Sequence, residues 1–322
     1  MSLIAAFLSA ALMGQAAVLP VAIPQGAPAQ ADVPQTSSQQ TTSGDPGATT
    51  VDDIEVQGLR LNEATQTFVD EITATAAAPG RGLALWRRSV CVGVINMRPE
   101  HARFMIDRVS TIAQALGVQP GEPGCKPEII ISGTTDGPGM ARILIEENPQ
   151  AFRPASGSTD RGSKALRAFE TSTAPVRWWH VSFPVSEDTG ETAIRLLGEE
   201  PPSVTVRGRS LLRSGLRDEM KRALIIVDLS RMGHADFAQL TDYVAFVALA
   251  QTDPDADTSR FSTILNLFND HASPGGLTRW DAEYLLSLYG TAQDTTNPRF
   301  QQQAIVNRMI RQHVTPEEAD AP

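Results

Sequence analysis

Two short apolar runs rich in β-branched residues most constrain how this chain folds. The first is SVCVGVIN at residues 89–96 and the second is EIIIS at residues 128–132. Both have the length and composition of buried strands. Between them, a helical pattern opens at Pro99 and closes at Gly117. A strand, a helix and a second strand in this order predict a parallel unit with the helix packed on one face of the sheet.

The rest of the chain continues the alternation of strands and helices. A first helix is predicted from Asn62 to about Ala77, and Trp178 and Trp179 place aromatic side chains on both faces of a later strand, where they are predicted to seal the core and a groove edge. Further strands are predicted at residues 176–183, 203–206 and 224–229, and C-terminal helices at about 236–251, 278–289 and 298–313. The pattern therefore predicts an α/β (α+β) fold, a mixed sheet with packed helices and a helical C-terminal subdomain.

The N-terminal segment has the pattern of a signal for export. A short apolar run, Leu3 to Met13, precedes Ala29-Gln30-Ala31, which has the small-x-small form of a cleavage site. Only the α-amino group supplies positive charge before the run, so a disordered Ala-rich start is the alternative. The sequence favours a Sec-type signal peptide, which places the protein in the periplasm or outside the cell.

The boundaries follow from composition. Residues 1–31 are predicted as the signal peptide, and residues 32–52, rich in Pro, Ser, Thr, Gln and Gly, as a disordered linker. A single mixed α/β domain is predicted over residues 53–315, with its sheet part at about 53–232 and its helical part at about 233–315. A disordered tail is predicted at residues 316–322.

Charge disfavours two classes of partner. The formal net charge is −10, and the first 31 residues contain no charged side chain. The remaining chain would therefore be repelled by nucleic acid phosphates and by anionic lipid headgroups. No later segment reaches 18 consecutive apolar residues. We expect no nucleic acid partner and no membrane insertion of the mature chain.

Two cysteines are present, Cys91 and Cys125. An even count in an oxidising compartment favours a disulfide bond. Such a bond would close a loop of about 35 residues and stabilise the fold by about 3–4 kcal/mol. The alternative is two buried thiols, which exported proteins tend to avoid. The chain has no Cys-x-x-Cys motif, so a redox dithiol is not predicted.

Three segments resemble a known family. They are LWRRSVCVGVIN followed by a helix and EIIIS, then LTDYVAFVALAQTD, and finally STILNLF leading into LTRWDAEYLLSLYG. Through them, the region from Leu85 to Tyr289 resembles a family of uncharacterised exported alphaproteobacterial proteins related in pattern to metzincin-type zinc metalloproteases. The resemblance implies a metzincin-like (zinc metalloprotease-like) fold with a central helix that would carry the zinc site.

The zinc motif itself is missing. In active metzincins the central helix carries H-E-x-x-H-x-L-G-x-x-H, whose histidines bind zinc and whose glutamate activates water. Aligned on that pattern, the histidine positions fall on Tyr243, Val247 and Asp253, the glutamate on Val244 and the glycine on Ala250. Valine side chains neither bind zinc nor move protons. The sequence therefore predicts no metal, no cofactor and no catalytic residue, and it leaves Tyr243, Val244, Val247 and Asp253 as candidate residues of a former substrate groove.

The predicted function is non-catalytic. The resemblance favours an envelope protein that binds a peptide or a partner protein on a degenerate metallopeptidase-like scaffold, a pseudoenzyme. One alternative is an unrelated α/β domain in which residues 236–251 form an ordinary buried helix. Another is a periplasmic hydrolase with an unrecognised site that includes His180 or Asp253. The last is a structural component of the cell envelope.

Two weaker patterns bear on metals. The five histidines include no pair at ligand spacing on one helix. Asp253, Asp255 and Asp257 alternate as in the first half of an EF-hand calcium loop, but Thr258 stands where glycine is required and Ile264 where a bidentate glutamate should be. An acidic loop that terminates a helix is the favoured interpretation, with weak calcium binding as the alternative.

Overall fold

The computed structural model describes residues 51–74, 77, 81–154, 161–193, 215–269, 274–293 and 297–314. These residues belong to one compact unit, Thr49–Pro322, and a second unit, Met1–Ala48, lies outside the described residues. The predicted signal peptide, most of the predicted linker, the predicted tail and the strand predicted at residues 203–206 also lie outside them.

Six strands form two sheets. They are β1 (Ser89–Val90), β2 (Val92–Ile95), β3 (Gln119–Pro120), β4 (Ile129–Thr134), β5 (Val176–Ser186) and β6 (Leu216–Asp228). The main sheet has the order β2-β4-β6-β5, with β2, β4 and β6 parallel and β5 antiparallel to β6. Strands β1 and β3 form a short parallel pair. The predicted parallel unit, the mixed sheet and the mixed α/β class are confirmed.

Helices cover both faces of the main sheet. They are α1 (Val51–Thr73), α2 (Pro99–Ala115), α3 (Gly137–Glu147), α4 (Pro149–Phe152), α5 (Gly162–Thr171), α6 (Phe237–Leu249), α7 (Arg279–Tyr289) and α8 (Pro298–Val314). Helices α1, α2, α6, α7 and α8 contribute to one hydrophobic cluster, the first core. Helices α3, α4 and α5 contribute to a smaller cluster, the second core. Among the described residues, no helix is both long and apolar enough to span a membrane.

Strand β6 lies between the two cores because its side chains alternate. Ala223, Ile225 and Val227 belong to the first core, and Leu224 and Ile226 belong to the second. A period of two places successive side chains on opposite faces of a sheet. A continuous apolar run is therefore what a strand with both faces covered requires.

Helix α6 is mostly apolar and lies inside the protein. Every residue from Leu240 to Leu249 is buried, and the one charged side chain among them, Asp242, is paired with Arg108 at 2.6 Å. Its start is fixed by a capping box, in which the Asp236 side chain accepts from the Gln239 backbone and the Gln239 side chain accepts from the Asp236 backbone. The sequence predicted this helix to within two residues at each end.

Two elements are longer than the sequence predicted. Helix α1 begins at Val51, before the predicted cap Asn62, and so includes the last two residues of the predicted linker. Strand β6 begins at Leu216 because its charged first half is neutralised by ion pairs. Asp218 contacts Arg81 at 2.6 Å, and Glu219 contacts Arg217 at 2.7 Å. Paired charges let a strand that lacks an apolar pattern join the sheet.

Cys91 and Cys125 form a disulfide bond, with their Cα atoms 6.0 Å apart. Cys91 lies between β1 and β2, and Cys125 lies in the loop before β4. The predicted pairing is confirmed. The bond ties this loop to the first strands of the parallel unit.

Candidate functional site

A cavity of about 640 Å³ lies beside the N-terminal end of β5. Its wall is formed by β5, by α5, by the side chain of Tyr243 on α6, by the loop after α6 and by the C-terminal end of α1. Its lining residues are Ala74, Ala77, Arg161, Lys164, Ala165, Ala168, Phe169, Ser172, Ala174, Val176, Arg177, Trp178, Tyr243, Pro254 and Asp255.

The cavity faces the edge of β5. Three consecutive residues of this strand, Val176, Arg177 and Trp178, line it. Val176 and Trp178 belong to the first core, and Arg177 projects to the opposite face because side chains alternate along a strand. Because three successive residues line the cavity although their side chains lie on opposite faces of the sheet, we infer that the cavity follows the edge of the strand. Among the described strands, β5 is at the edge of the sheet.

At this edge, the main chain of β5 presents polar groups that have no partner within the described part of the chain. The backbone N–H of Asp228 donates to the carbonyl of Pro175 at 2.8 Å, and Val176 lies opposite Val227. In an antiparallel ladder, successive residues direct their polar groups alternately to the two sides. The N–H and C=O groups of Val176 and Trp178 therefore point away from β6. No described element donates to or accepts from them.

The four residues predicted to line a groove lie in different places. Tyr243 lines the cavity, and its ring lies 6.2 Å from that of Trp178 in an edge-to-face arrangement. Val244 and Val247 are fully buried in the first core and do not line the cavity. Asp253 accepts a hydrogen bond at 3.3 Å from Arg161, which does line it. The structure therefore brings Tyr243 and the Asp253–Arg161 pair to one place and leaves both valines in packing roles.

Three side chains close the C-terminal end of α6, where helix carbonyls have no partner within the helix, and a fourth bonds the loop that follows. His180 Nε2 donates to the carbonyl of Val247 at 2.8 Å, and Trp86 Nε1 donates to that of Ala248 at 2.9 Å. The Tyr289 hydroxyl donates to the carbonyl of Leu249 at 2.7 Å, and Trp178 Nε1 donates to that of Thr252 at 3.1 Å. These bonds satisfy a buried helix end, which would otherwise be costly.

His180 is therefore a neutral donor in the interior. Its pKa is lowered to about 4, mainly by burial and also by the nearby charge of Arg161, although the hydrogen bond to Val247 acts in the opposite direction. The ring contacts a backbone carbonyl, not a carboxylate. His180 is not among the residues that line the cavity. The structure does not place it with Asp253 as a catalytic pair.

The carboxylates of Asp253 and Asp257, in the acidic loop after α6, accept hydrogen bonds within the protein. Asp253 Oδ1 accepts from Arg161 and from the backbone of Asp255, and Asp257 Oδ1 accepts from the backbone and hydroxyl of Ser259. Such bonds are typical of turns in which a carboxylate caps its own backbone. Among the described residues, no group of three or more His, Cys, Asp or Glu side chains is arranged to hold a metal ion.

Arg177 is a site residue that the sequence did not reveal. It is 3% exposed, and its Nη1 donates to the carbonyls of Phe169 and Glu170 at 3.5 and 3.4 Å. Its Nε and Nη2 atoms are buried and have no hydrogen-bond partner among the described residues. Nη2 lies against Gly137, where a Cβ atom would approach it to 2.3 Å. The sequence signal that could have identified Arg177 is a charged residue within an otherwise apolar and aromatic strand.

The described lining of the cavity contains few groups that can transfer a proton. Its described lining includes one carboxylate, Asp255, one hydroxyl of serine, Ser172, and no histidine or cysteine. Ser172 Oγ accepts from the backbone N–H of Ala174, so it caps a turn. Burial raises the pKa of the Tyr243 phenol, which keeps it protonated at neutral pH. These groups suit ligand binding better than proton transfer.

No protein-family model, curated protein or solved structure matches this chain. The fold and the cavity define a structural class, namely a disulfide-bonded mixed α/β protein with a cavity along an antiparallel edge strand. The resemblance to metzincins stays a prediction.

Proposed function

We propose that this protein binds an extended peptide segment, which adds to the edge of β5 without being cleaved. The observation that carries the proposal is the cavity along Val176, Arg177 and Trp178, beside outward-pointing main-chain groups of Val176 and Trp178. Strand addition to an exposed sheet edge is a general mode of peptide recognition, in which main-chain bonds give affinity and side-chain pockets give specificity.

The cavity walls support the same ligand class. Trp178, Tyr243 and Phe169 supply aromatic surface, and Ala165 and Ala168 leave room beside it. Aromatic side chains bury large areas on binding and dominate the energetics of many interfaces. A peptide strand lying against β5 would place one of its side chains among these rings.

We propose that the protein is not a catalyst because of the residue types at the positions that match the metzincin zinc motif. The positions that match the zinc ligands and general base of metzincins hold Tyr243, Val244, Val247 and Asp253. Neither valine has a lone pair, and Asp253 is engaged by Arg161. We accordingly propose a degenerate metallopeptidase-like scaffold in an exported envelope protein, with a peptide or an envelope protein as the partner, and with no nucleic acid and no membrane insertion of the mature chain.

A cavity-filling substitution tests the proposed site. The purified protein is panned against a displayed library of random octapeptides, and we expect it to enrich a related set of sequences. Ala168 is an exposed residue of α5 that lines the cavity, so Ala168→Trp should fill the space without disturbing the core. We expect this variant to lose at least about 10-fold in affinity for the enriched peptides, since burial in a preformed cavity supplies most of the binding energy.

Ser163→Trp is the matched control, because Ser163 is exposed on the same helix and does not line the cavity. Its affinity should stay within about twofold of the unmodified protein. Peptides resynthesised with N-methyl groups at alternate positions should also bind more weakly, since they lack donors for strand addition. Equal binding by both tryptophan variants, or no enrichment by the unmodified protein, would contradict the proposal.

A further inference from the structure

The charges around the cavity indicate which peptides it accepts, an inference that rests on the proposed function. Among the described residues that line the cavity, three carry cationic side chains, Arg161, Lys164 and Arg177, and one carries a carboxylate, Asp255. The chain as a whole has a formal net charge of −10, so this positive balance is local. We infer that the cavity holds a carboxylate group of the bound peptide, with Arg177 and Lys164 as its cationic partners.

Among the described residues, Arg177 provides a buried charge that forms no ion pair with a carboxylate. Its side chain lies between the last carbonyls of α5 and Gly137 at the start of α3. Asp228 is the carboxylate whose charge acts most strongly on it, but Asp228 Oδ2 accepts from the backbone of Gly137 at 3.1 Å, and Asp228 Oδ1 accepts from Ser230. A buried guanidinium without a bonded anion is costly. A carboxylate in the adjacent cavity would complement its field.

The other two cations differ in their freedom to meet a ligand. Arg161 is held by Asp253 at 3.3 Å, so its charge is already paired. Lys164 is exposed on the first turn of α5, and among the described residues it makes no ion pair. Its flexible ammonium group suits a carboxylate that enters from solvent. Lys164 and Arg177 thus approach the cavity from two different elements, α5 and β5.

The rings of Trp178 and Tyr243 define the neighbouring subsite. They form an apolar wall next to the cations, with 6.2 Å between the ring centroids. The preferred ligand is therefore a peptide in which a carboxylate lies close to an apolar or aromatic side chain. The carboxylate comes either from an acidic side chain or from the C-terminus of the peptide.

Four peptide pools distinguish these sources. Each contains N-acetylated hexapeptides in which five positions hold a mixture of apolar residues and serine. The remaining position, near the middle, is fixed as Glu or Gln, and the C-terminus is a free acid or an amide. Peptides retained by the purified protein after gel filtration are quantified by mass spectrometry. We expect at least one carboxylate pool to be retained roughly 10-fold more than the Gln amide pool, because charge-assisted hydrogen bonds are stronger than neutral ones.

Substitutions test which cations produce the preference for the carboxylate pools. Lys164→Gln should reduce the preference for the carboxylate pools about 3-fold to 5-fold, a typical effect for one exposed charge. Arg167→Gln is the control, because Arg167 is exposed on the same helix and does not line the cavity. It should change the preference by less than about twofold. Arg177→Gln should abolish the preference wherever circular dichroism shows the variant to be folded.

The outcomes separate the two proposals. Equal retention of all four pools would overturn the carboxylate inference and leave peptide binding intact. Retention of none would overturn both. A carboxylate preference that Lys164→Gln and Arg167→Gln reduce equally would reflect general electrostatic attraction and would overturn the assignment to the cavity.

Discussion

Replacing Val244 by glutamate is expected to lower the free energy of unfolding by at least about 4 kcal/mol, because the carboxylate would enter the first core without a partner. Val244 is fully buried, and so is every residue of α6 from Leu240 to Leu249. In the alignment proposed with the metzincin zinc motif, this position matches the glutamate of an open metal site. The substitution therefore asks whether this position belongs to a core or to a cleft, and urea unfolding followed by circular dichroism gives the answer.

Ala238→Glu is the control for the charge itself. Ala238 is exposed in the first turn of α6, where a negative charge interacts favourably with the helix dipole. We expect its free energy of unfolding to change by no more than about 0.5 kcal/mol. A cost below about 1 kcal/mol for Val244→Glu would place residue 244 at a solvated surface and contradict the packing described above.

Acidification is expected to destabilise the protein through His180. Its pKa is about 4 in the folded state, against an ordinary value of 6.5. Above pH 6.5 the ring is neutral in both states and its contribution to stability is complete. Between pH 6.5 and pH 4 the unfolded chain takes up a proton that the folded protein does not. The free energy of unfolding should therefore fall by about 3 kcal/mol over this interval and no further below it.

His180→Gln isolates this effect, because a glutamine amide can still donate to the Val247 carbonyl and does not titrate. The carboxylates of the protein contribute to both pH profiles and cancel in their difference. We expect the stability advantage of the unmodified protein over His180→Gln to shrink by about 3 kcal/mol between pH 7.5 and pH 4. A constant difference would mean that His180 titrates near its ordinary pKa, as an accessible histidine would.

The sequence predicted the framework because periodicity and caps are local signals. The parallel unit around residues 89–132 and the helices predicted at about 278–289 and 298–313 all follow from residues close in the chain. Strand β6 was predicted too short for the opposite reason. The first half of β6 is charged, and its place in the sheet depends on partners such as Arg81, which is 137 residues away from Asp218.

The site was less predictable because it depends on juxtaposition. Tyr243 was named from an alignment with the metzincin zinc motif, and it does line the cavity. Arg177 could not be named, since only the fold brings it beside α5 and Gly137. The role of His180 as a helix cap depends on the contact between β5 and the end of α6. Such contacts leave no trace in the local sequence pattern.

Native mass spectrometry of the purified protein with a peptide enriched by panning tests whether the protein binds a peptide without cleaving it. We expect a complex of one protein chain with one intact peptide, at the mass of the disulfide-bonded polypeptide and without a bound zinc ion. Peptide fragments that accumulate with time, together with a stoichiometric zinc adduct whose removal stops the cleavage, would contradict it.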